Sequence, residues 1–317
     1  MNLFATVLTY PAPTANYRGD TELNRTVLQK ITDGRFEYPV ISPEAIRNAL
    51  RETLRRYGLP MNRERLPDEE QLTVRYRDYP DPDRYADDYL FGYLIAVTGN
   101  QRREILQKVN RPDFRFKRDS ILRMNLAVAT EPYRYDAILT QSPRASDDSA
   151  YRNAADSALL HRETAVVAFQ YPFALCGEDC KAKPHWVRAL LKAIGELGDV
   201  AGNHARSLYE MAPASITVRL TEQLVAGYEM YHFRVESRGP NNERRVRSTL
   251  VDSLLDDELG LPGNEFYIGG EIVRELTPEK REKLQLRGVT LDPDPRRLLA
   301  KVADAFLGTQ TPVAAGG

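Results

Sequence analysis

A chain of 317 residues, 42 % hydrophobic and 28 % charged, has the composition of an ordinary folded protein and is long enough for one elaborated domain or two. No apolar run approaches the roughly 20 residues that cross a bilayer, and Met1–Thr6 lacks the basic and apolar parts of a secretion signal, so a cytoplasmic protein is expected. The formal net charge of −1 excludes a uniformly basic surface but not a local one: Asp68 to Asp88 holds eight acids against three bases, and Gln101 to Arg123 eight bases against three acids.

Leu3 to Tyr10 is apolar and β-branched and stops at Pro11-Ala12-Pro13, which predicts a buried strand. A polar loop containing Asn16-Tyr17-Arg18-Gly19-Asp20 follows. Ser42-Pro43-Glu44 then starts a helix: serine caps, proline fits the first helical position, and the carboxylate suits the positive end of the dipole. The helix should run to about Tyr57 and stop at Gly58-Leu59-Pro60, with Ile46, Ala49, Leu50, Thr53, Leu54 and Tyr57 on its core side. Arg47, Arg51 and Arg55 form a separate stripe at one-turn spacing.

Residues 60 to about 115 carry both charge blocks with little periodicity and read as an insertion on the edge of the fold. Strand patterns return at 120–129 and 164–175, separated by a polar, proline-interrupted excursion over 131–162. An amphipathic helix is predicted at 185–198, strands at 215–220 and 228–235, a helix from Pro295 to Phe306, and a loose tail after Leu307. Without the two excursions the order is strand, helix, strand, strand, helix, strand, the ferredoxin-like βαββαβ arrangement of an α+β protein. RNA-recognition modules use it, and so do many unrelated proteins.

Two readings of the arginine stripe stand side by side. A helix start offers free N–H groups and partial positive charge, and guanidinium groups one turn apart can follow successive phosphates. The same stripe also suits a solvated face paired with Glu44 and Glu52. Asn16, Arg18 and Gly19 suit ribose or phosphate contact as well as they suit a plain turn. Of the four histidines, His161, beside Arg162 at the end of the excursion, is the candidate RNA contact. Cys176 and Cys180, with only His185, Glu178 and Asp179 close by, are too few ligands for a zinc site and are expected to be free thiols. The acidic run Tyr79 to Tyr89 lacks the glycine and terminal glutamate of a calcium loop and reads as a solvated acidic loop. There is no GxxxxGK[ST] run, no GxSxG and no convincing catalytic set, so no enzyme, metal or cofactor is expected.

Four segments together resemble the DevR-type backbone subunit of type I CRISPR surveillance complexes, in the RAMP superfamily, with subtype I-B the nearest pattern. They are the strand leading into Asn16-Tyr17-Arg18-Gly19-Asp20, the run from Tyr38 to Glu52, Asp88-Tyr89-Leu90-Phe91-Gly92-Tyr93, and Gly202-Asn203-His204-Ala205-Arg206. The resemblance implies a hand-like molecule: a ferredoxin-like palm in 1–59 and 116–236, inserted fingers in 60–115, a thumb within 131–162, and a C-terminal extension in 237–317. Copies of the chain would line up as a helical filament along a guide RNA (crRNA), beside other Cascade subunits, leaving the bases free to pair with target DNA. Ser42, Arg47 and Arg51 match the family's phosphate-contacting helix start, with Arg55 one turn further on, and Asn16, Arg18 and Gly19 match its loop. The rival expectation is a metal-dependent RNA-cleaving member using Asp20. A transcriptional regulator would need a DNA-reading element such as a helix-turn-helix, and the sequence offers none.

Overall fold

The computed structural model describes residues 1–14, 16–22, 25–65, 74–109, 111, 113–141, 159–200, 209–238 and 243–309. The elements that frame the site are β1 (Asn2–Thr9), β2 (Phe36–Ile41), α1 (Pro43–Arg56), α2 (Ala86–Phe91), β3 (Ala127–Ala129), β4 (Phe169–Cys176), α3 (Pro184–Gly195), β5 (Pro213–Thr221), β6 (Phe266–Gly270), β7 (Thr290–Asp292) and α4 (Pro295–Leu307). One sheet runs in the order β7-β6-β5-β1-β4-β3-β2 and ends on the strand Lys30–Asp33, with Arg123–Met124 added beside β4. Only β6 and β7 pair in parallel, so the sheet is mixed and the fold is α+β.

Alternation along the central strands sorts their side chains into two layers. On β1, Leu3, Ala5 and Val7 face one way, and the register sets them against Leu175, Phe173 and Tyr171 of β4 and Leu220, Val218 and Ile216 of β5. Onto this face pack Ile46, Leu50 and Leu54 of α1, Val187, Leu190 and Ile194 of α3, and Leu298 and Val302 of α4, in one buried cluster.

The other face is covered as well. Thr6 Oγ1 donates to the Met230 carbonyl at 2.6 Å, and the Gln170 amide exchanges hydrogen bonds with the backbone of Phe233 at 3.1 and 3.2 Å. Thr217 Oγ1 is 2.7 Å from His232 Nε2, Arg219 meets Glu265, and Ser215 Oγ accepts from Ile272 N at 3.0 Å. Behind these polar contacts lies a second buried cluster that includes Phe233, Leu250, Leu254, Phe266 and Ile272. With both faces occupied, every residue of β5 is buried. A bare sheet face, on which RNA-recognition modules stack bases, is not available around β1 and β5.

Several expectations change. The loop expected around residues 16–20 contains the strand Tyr17–Glu22, within a four-stranded sheet ordered Ala137–Gln141, Leu159–Glu163, Arg25–Leu28, Tyr17–Glu22. Pairing of Tyr17, Thr21 and Glu22 with Leu28, Thr26 and Arg25 holds the strand, and the turn-like Arg18-Gly19-Asp20 coincides with an irregularity in its register. The arms of the 131–162 excursion are strands of that small sheet; residues 142–158 lie outside the described residues, as do residues 201–208 of the fourth resembling segment. The strand expected over 120–129 is two short pieces, and that over 164–175 is broken at Ala168. The helices Thr249–Asp256, Glu271–Glu275 and Pro278–Leu286 were not anticipated.

The acidic run 79–89 is not uniformly solvated. Asp87 and Asp88 are each 1 % exposed, because their carboxylates cap backbone and amide donors: Asp87 accepts from the N–H of Asn62 and Arg63 at 2.8 and 2.9 Å, and Asp88 from Asn62 Nδ2 and Asp81 N at 2.8 and 2.9 Å. Nor is the 60–115 stretch wholly peripheral, since Met61, Ala86, Tyr89, Leu90 and Phe91 belong to the main core. No described helix is long and apolar enough to cross a membrane.

Candidate nucleic-acid interface

Helix α1 begins as its sequence dictates. Ser42 Oγ accepts from Ala45 N at 3.2 Å, Pro43 occupies the first turn, and Glu44 adds negative charge there. Asn16 is brought to this start: it is 5 % exposed, and its Nδ2 donates to the carbonyl of Val40, two residues before the cap, at 2.5 Å. The return contact, Gln29 N to Asn16 O at 3.0 Å, pins the small sheet to the same place. Arg18 and Gly19 lie on Tyr17–Glu22, and the Arg18 side chain is outside what the structure describes.

His161 and Arg162 share that small sheet. They pair with Arg25 and Thr26, whose strand in turn pairs with Tyr17–Glu22. The sheet is anchored through buried Glu163, whose Oε2 accepts from Leu28 N at 3.1 Å and from Lys30 Nζ at 3.4 Å. His161 is exposed and Arg162 partly so. The structure thus gathers the Asn16 segment, the helix cap and the His161 strand at one end of the main sheet.

The three arginines of the stripe have different surroundings. Arg55 is satisfied locally, by Glu52 at 3.3 Å and by the Arg63 carbonyl at 2.5 Å. Arg47 pairs with Glu44 at 3.3 Å, yet its Nε is buried with no protein acceptor. Burial lowers the Arg47 pKa, Glu44 raises it, and Arg123 adds to the lowering. Arg51 is only 5 % exposed. Its Nη1 donates to Asn48 Oδ1 at 2.6 Å, its guanidinium lies 4.8 Å from the Phe91 ring centroid, and its Nε has no protein acceptor. Burial, then the nearby Arg63, push its pKa down to about 10 against an opposing pull from Asp87. This is not the solvated face that periodicity allows: α2 and the residues after it close over the arginine.

Arg47 and Arg51 line a cleft of about 460 Å³ between α1 and the segments around 91–94 and 117–120. Its charged lining is Arg47, Arg51, Arg63, Lys117 and Arg118 against Glu44 and Asp119. The floor depends on Gly92, whose φ of +65° and ψ of −176° belong to a region other residues avoid. Sequence reasoning missed Arg63 and Arg118, because nothing local in their spacing shows that they meet α1. A guide existed in the Asp88–Tyr93 segment, whose glycine implies a close backbone approach.

Among the described residues no group of three His, Cys, Asp or Glu side chains is placed to hold a metal ion. Cys176 is an exposed free thiol, and Cys180 is buried with its pKa pushed up to about 12. His232 is a buried structural residue, held between Thr217 Oγ1 and Ser248 Oγ at 2.7 and 2.9 Å.

No family model matches the sequence. The fold is shared with a chain of a "CRISPR RNA-guided surveillance complex, pre-nicking", at a TM-score of 0.60 and 10 % identity over 96 % of this chain and 100 % of that one. A chain of a second "CRISPR RNA-guided surveillance complex" aligns at a TM-score of 0.55 and 10 % identity over 96 % and 99 % of the two chains. In sequence, the chain is 30 % identical over 298 residues to the CRISPR-associated protein Cas7/Cst2/DevR of Myxococcus xanthus (strain DK1622), covering 90 % of this chain and 91 % of that protein. At that identity and coverage, the chain belongs to the CRISPR-associated Cas7/Cst2/DevR family.

Proposed function

We propose that this chain is a backbone subunit of a type I CRISPR surveillance complex that grips crRNA through its sugar-phosphate backbone and does not cut it. One observation carries the reading: Arg51 is almost fully buried, has no carboxylate within ion-pair distance among the described residues, and faces a basic cleft beside a capped helix start. Asp87 offsets only part of the burial, and a protein gains little by desolvating a guanidinium that has no paired carboxylate unless an anion arrives to meet it. Phosphates are that anion, and contacts to them are independent of base sequence.

The reading also draws on the gathering of Asn16, Ser42, His161 and Arg162 at one end of the sheet, on the cleft lined by Arg47 and Arg51 of the same helix, and on the covered sheet face, which leaves the edge and cleft for RNA. A ferredoxin-like palm is supported by the antiparallel order β5-β1-β4-β3 with α1 and α3 against one face. The excursion whose arms are Ala137–Gln141 and Leu159–Glu163 would serve as the thumb. Copies of the chain along one crRNA, joined by other Cascade subunits, would present the guide bases to target DNA.

Binding of the purified chain to guide-length RNA and to duplex DNA tests this. RNA is expected to bind more tightly, and Arg47→Gln with Arg51→Gln to weaken it by at least tenfold; equal binding of duplex DNA, or an unaffected double variant, would refute it. Cleavage of complementary RNA in the presence of Mg²⁺, abolished by Asp20→Ala, would replace the non-enzymatic reading with a nuclease.

A further inference from the structure

The cleft has two walls, and α1 supplies only one. Arg118 stands on the other, from the strand Lys117–Arg118, with its guanidinium 5.3 Å from the Tyr89 ring centroid. Its Nε is buried and has no protein acceptor, the same condition as Arg47 and Arg51 across the cleft. The neighbouring carboxylate does not relieve it, since Asp119 pairs with Lys117 at 3.5 Å and Arg123 at 3.9 Å. The second wall is closely packed within itself: a Cβ on Gly92 would fall 2.3 Å from the Arg118 carbonyl oxygen, so the end of α2 rests directly on the strand that carries Arg118. Guanidinium groups that line one cleft with their Nε atoms lacking protein acceptors repel, and the acceptor that satisfies several of them together is a tetrahedral oxyanion with oxygens pointing to both sides.

We propose that Arg51 and Arg118 form a two-walled clamp that takes a single phosphodiester of a nucleic-acid strand, with Arg47 at its mouth. This rests on the proposed RNA-binding function and adds to it a residue distant from α1 in sequence. It also sets a geometry, in which one phosphate lies between the walls rather than along the surface of the helix. A phosphate clamp does not read the 2′-hydroxyl, so the clamp and the choice of RNA are separable.

The test is fluorescence anisotropy of labelled single-stranded RNA, and of single-stranded DNA of the same sequence, with the wild-type chain, Arg118→Gln, Arg118→Lys and Arg115→Gln. Arg115 is an exposed neighbour that does not line the cleft and controls for the loss of one charge. Arg118→Gln is expected to weaken RNA about tenfold and to make the log-affinity against log-salt slope shallower by about 0.7, the value of one single-strand phosphate contact. Arg118→Lys should recover less than half of the loss on a logarithmic scale, because an ammonium lacks the guanidinium fork, and Arg115→Gln should stay within twofold of wild type.

Equal losses in Arg118→Gln and Arg115→Gln, no loss in Arg118→Gln, or full recovery by Arg118→Lys would each overturn the clamp. Equally tight RNA and DNA, both weakened by Arg118→Gln, would keep the clamp and refute the crRNA reading. RNA lost with the α1 variants but indifferent to Arg118 would do the reverse. A wild-type chain that binds neither strand refutes both.

Discussion

The guanidinium of Arg51, on α1, stands 4.8 Å from the ring centroid of Phe91, on α2. The aromatic face offsets part of the cost of burying the charge, by about 0.5–2 kcal/mol, and Asn48 accepts one N–H. Neither supplies a negative charge. Arg51 is therefore held in a state that suits an incoming anion better than it suits the free protein, and the surrounding core of α1, α2 and α3 keeps it there.

Replacing Arg51 by methionine should separate these two consequences. Methionine keeps most of the side-chain volume and the contact with Phe91 while removing the desolvated charge. The free chain is expected to gain about 1 kcal/mol, a rise of about 2 °C in Tm, while RNA affinity falls about tenfold. Thermal unfolding and anisotropy on the same preparation check both, and a less stable variant would show that the arginine is structural.

Gly92 should be intolerant of a side chain for a reason Gly58 does not share. Both have positive φ, +65° and +81°, but a Cβ at 58 meets nothing within 4 Å, whereas at 92 it meets the Arg118 carbonyl. Gly58→Ala should cost about 1 kcal/mol, the backbone strain alone. Gly92→Ala should cost at least about 2 kcal/mol more and weaken RNA binding as the second wall is displaced. Urea unfolding of the two variants gives the comparison; equal costs would mean that the close approach carries no weight.

Asp87 should matter more for the fold than its place in an acidic run suggests. Its two carboxylate oxygens accept the N–H groups of Asn62 and Arg63, and thereby place Arg63 at the cleft. Asp87→Asn leaves one of those donors facing an amide NH₂, at a cost of about 1–3 kcal/mol. Exposed Asp83 serves as the control, with Asp83→Asn expected within about 0.5 kcal/mol of wild type.

The parts legible in the sequence were those whose causes are local. Ser42-Pro43-Glu44 and the spacing of Ile46, Leu50 and Leu54 define α1 and its buried face, and the structure has both. The convergence of Asn16 on the helix start comes from backbone bonds that link Asn16 to Gln29 and Gln29 to Val40. The burial of Arg51 was not legible, because Phe91 and Gly92 are remote in sequence and sit beside Asp87 and Asp88, whose charge made α2 look like a solvated loop. Those carboxylates face inward because the N–H groups of Asn62, Arg63 and Asp81 and the Asn62 amide need acceptors there. The helix Thr249–Asp256 had a readable signal in Ser248 followed by Leu250, Val251, Leu254 and Leu255. The covering of the sheet by residues 230–238 and 243–276 had none, since it follows from long-range contacts such as Thr6 with Met230.

Two buried groups give stability an acid profile that single variants should split in opposite directions. Burial, reinforced by Arg234, holds the His232 pKa at about 3 against 6.5. Between those values the unfolded chain binds a proton that the folded chain does not, so this residue removes up to about 1.4 kcal/mol of stability per pH unit as pH falls below 6.5. Asp88 acts with the opposite sign. Burial raises its pKa to about 6 from 3.8, aided by Asp87 and opposed by its hydrogen bonds, so between 3.8 and 6 the folded state holds the extra proton and lower pH favours folding. The two slopes nearly cancel between pH 4 and 6. His232→Gln should leave a protein that gains stability as pH falls from 6 to 4. Asp88→Asn should leave one that loses it from pH 6.5 downward, and it should be tolerated because its amide oxygen can still accept from Asn62 and Asp81. Denaturant titrations of both variants at pH 4, 5, 6 and 7 measure the slopes; parallel profiles would mean that neither group titrates as its burial requires.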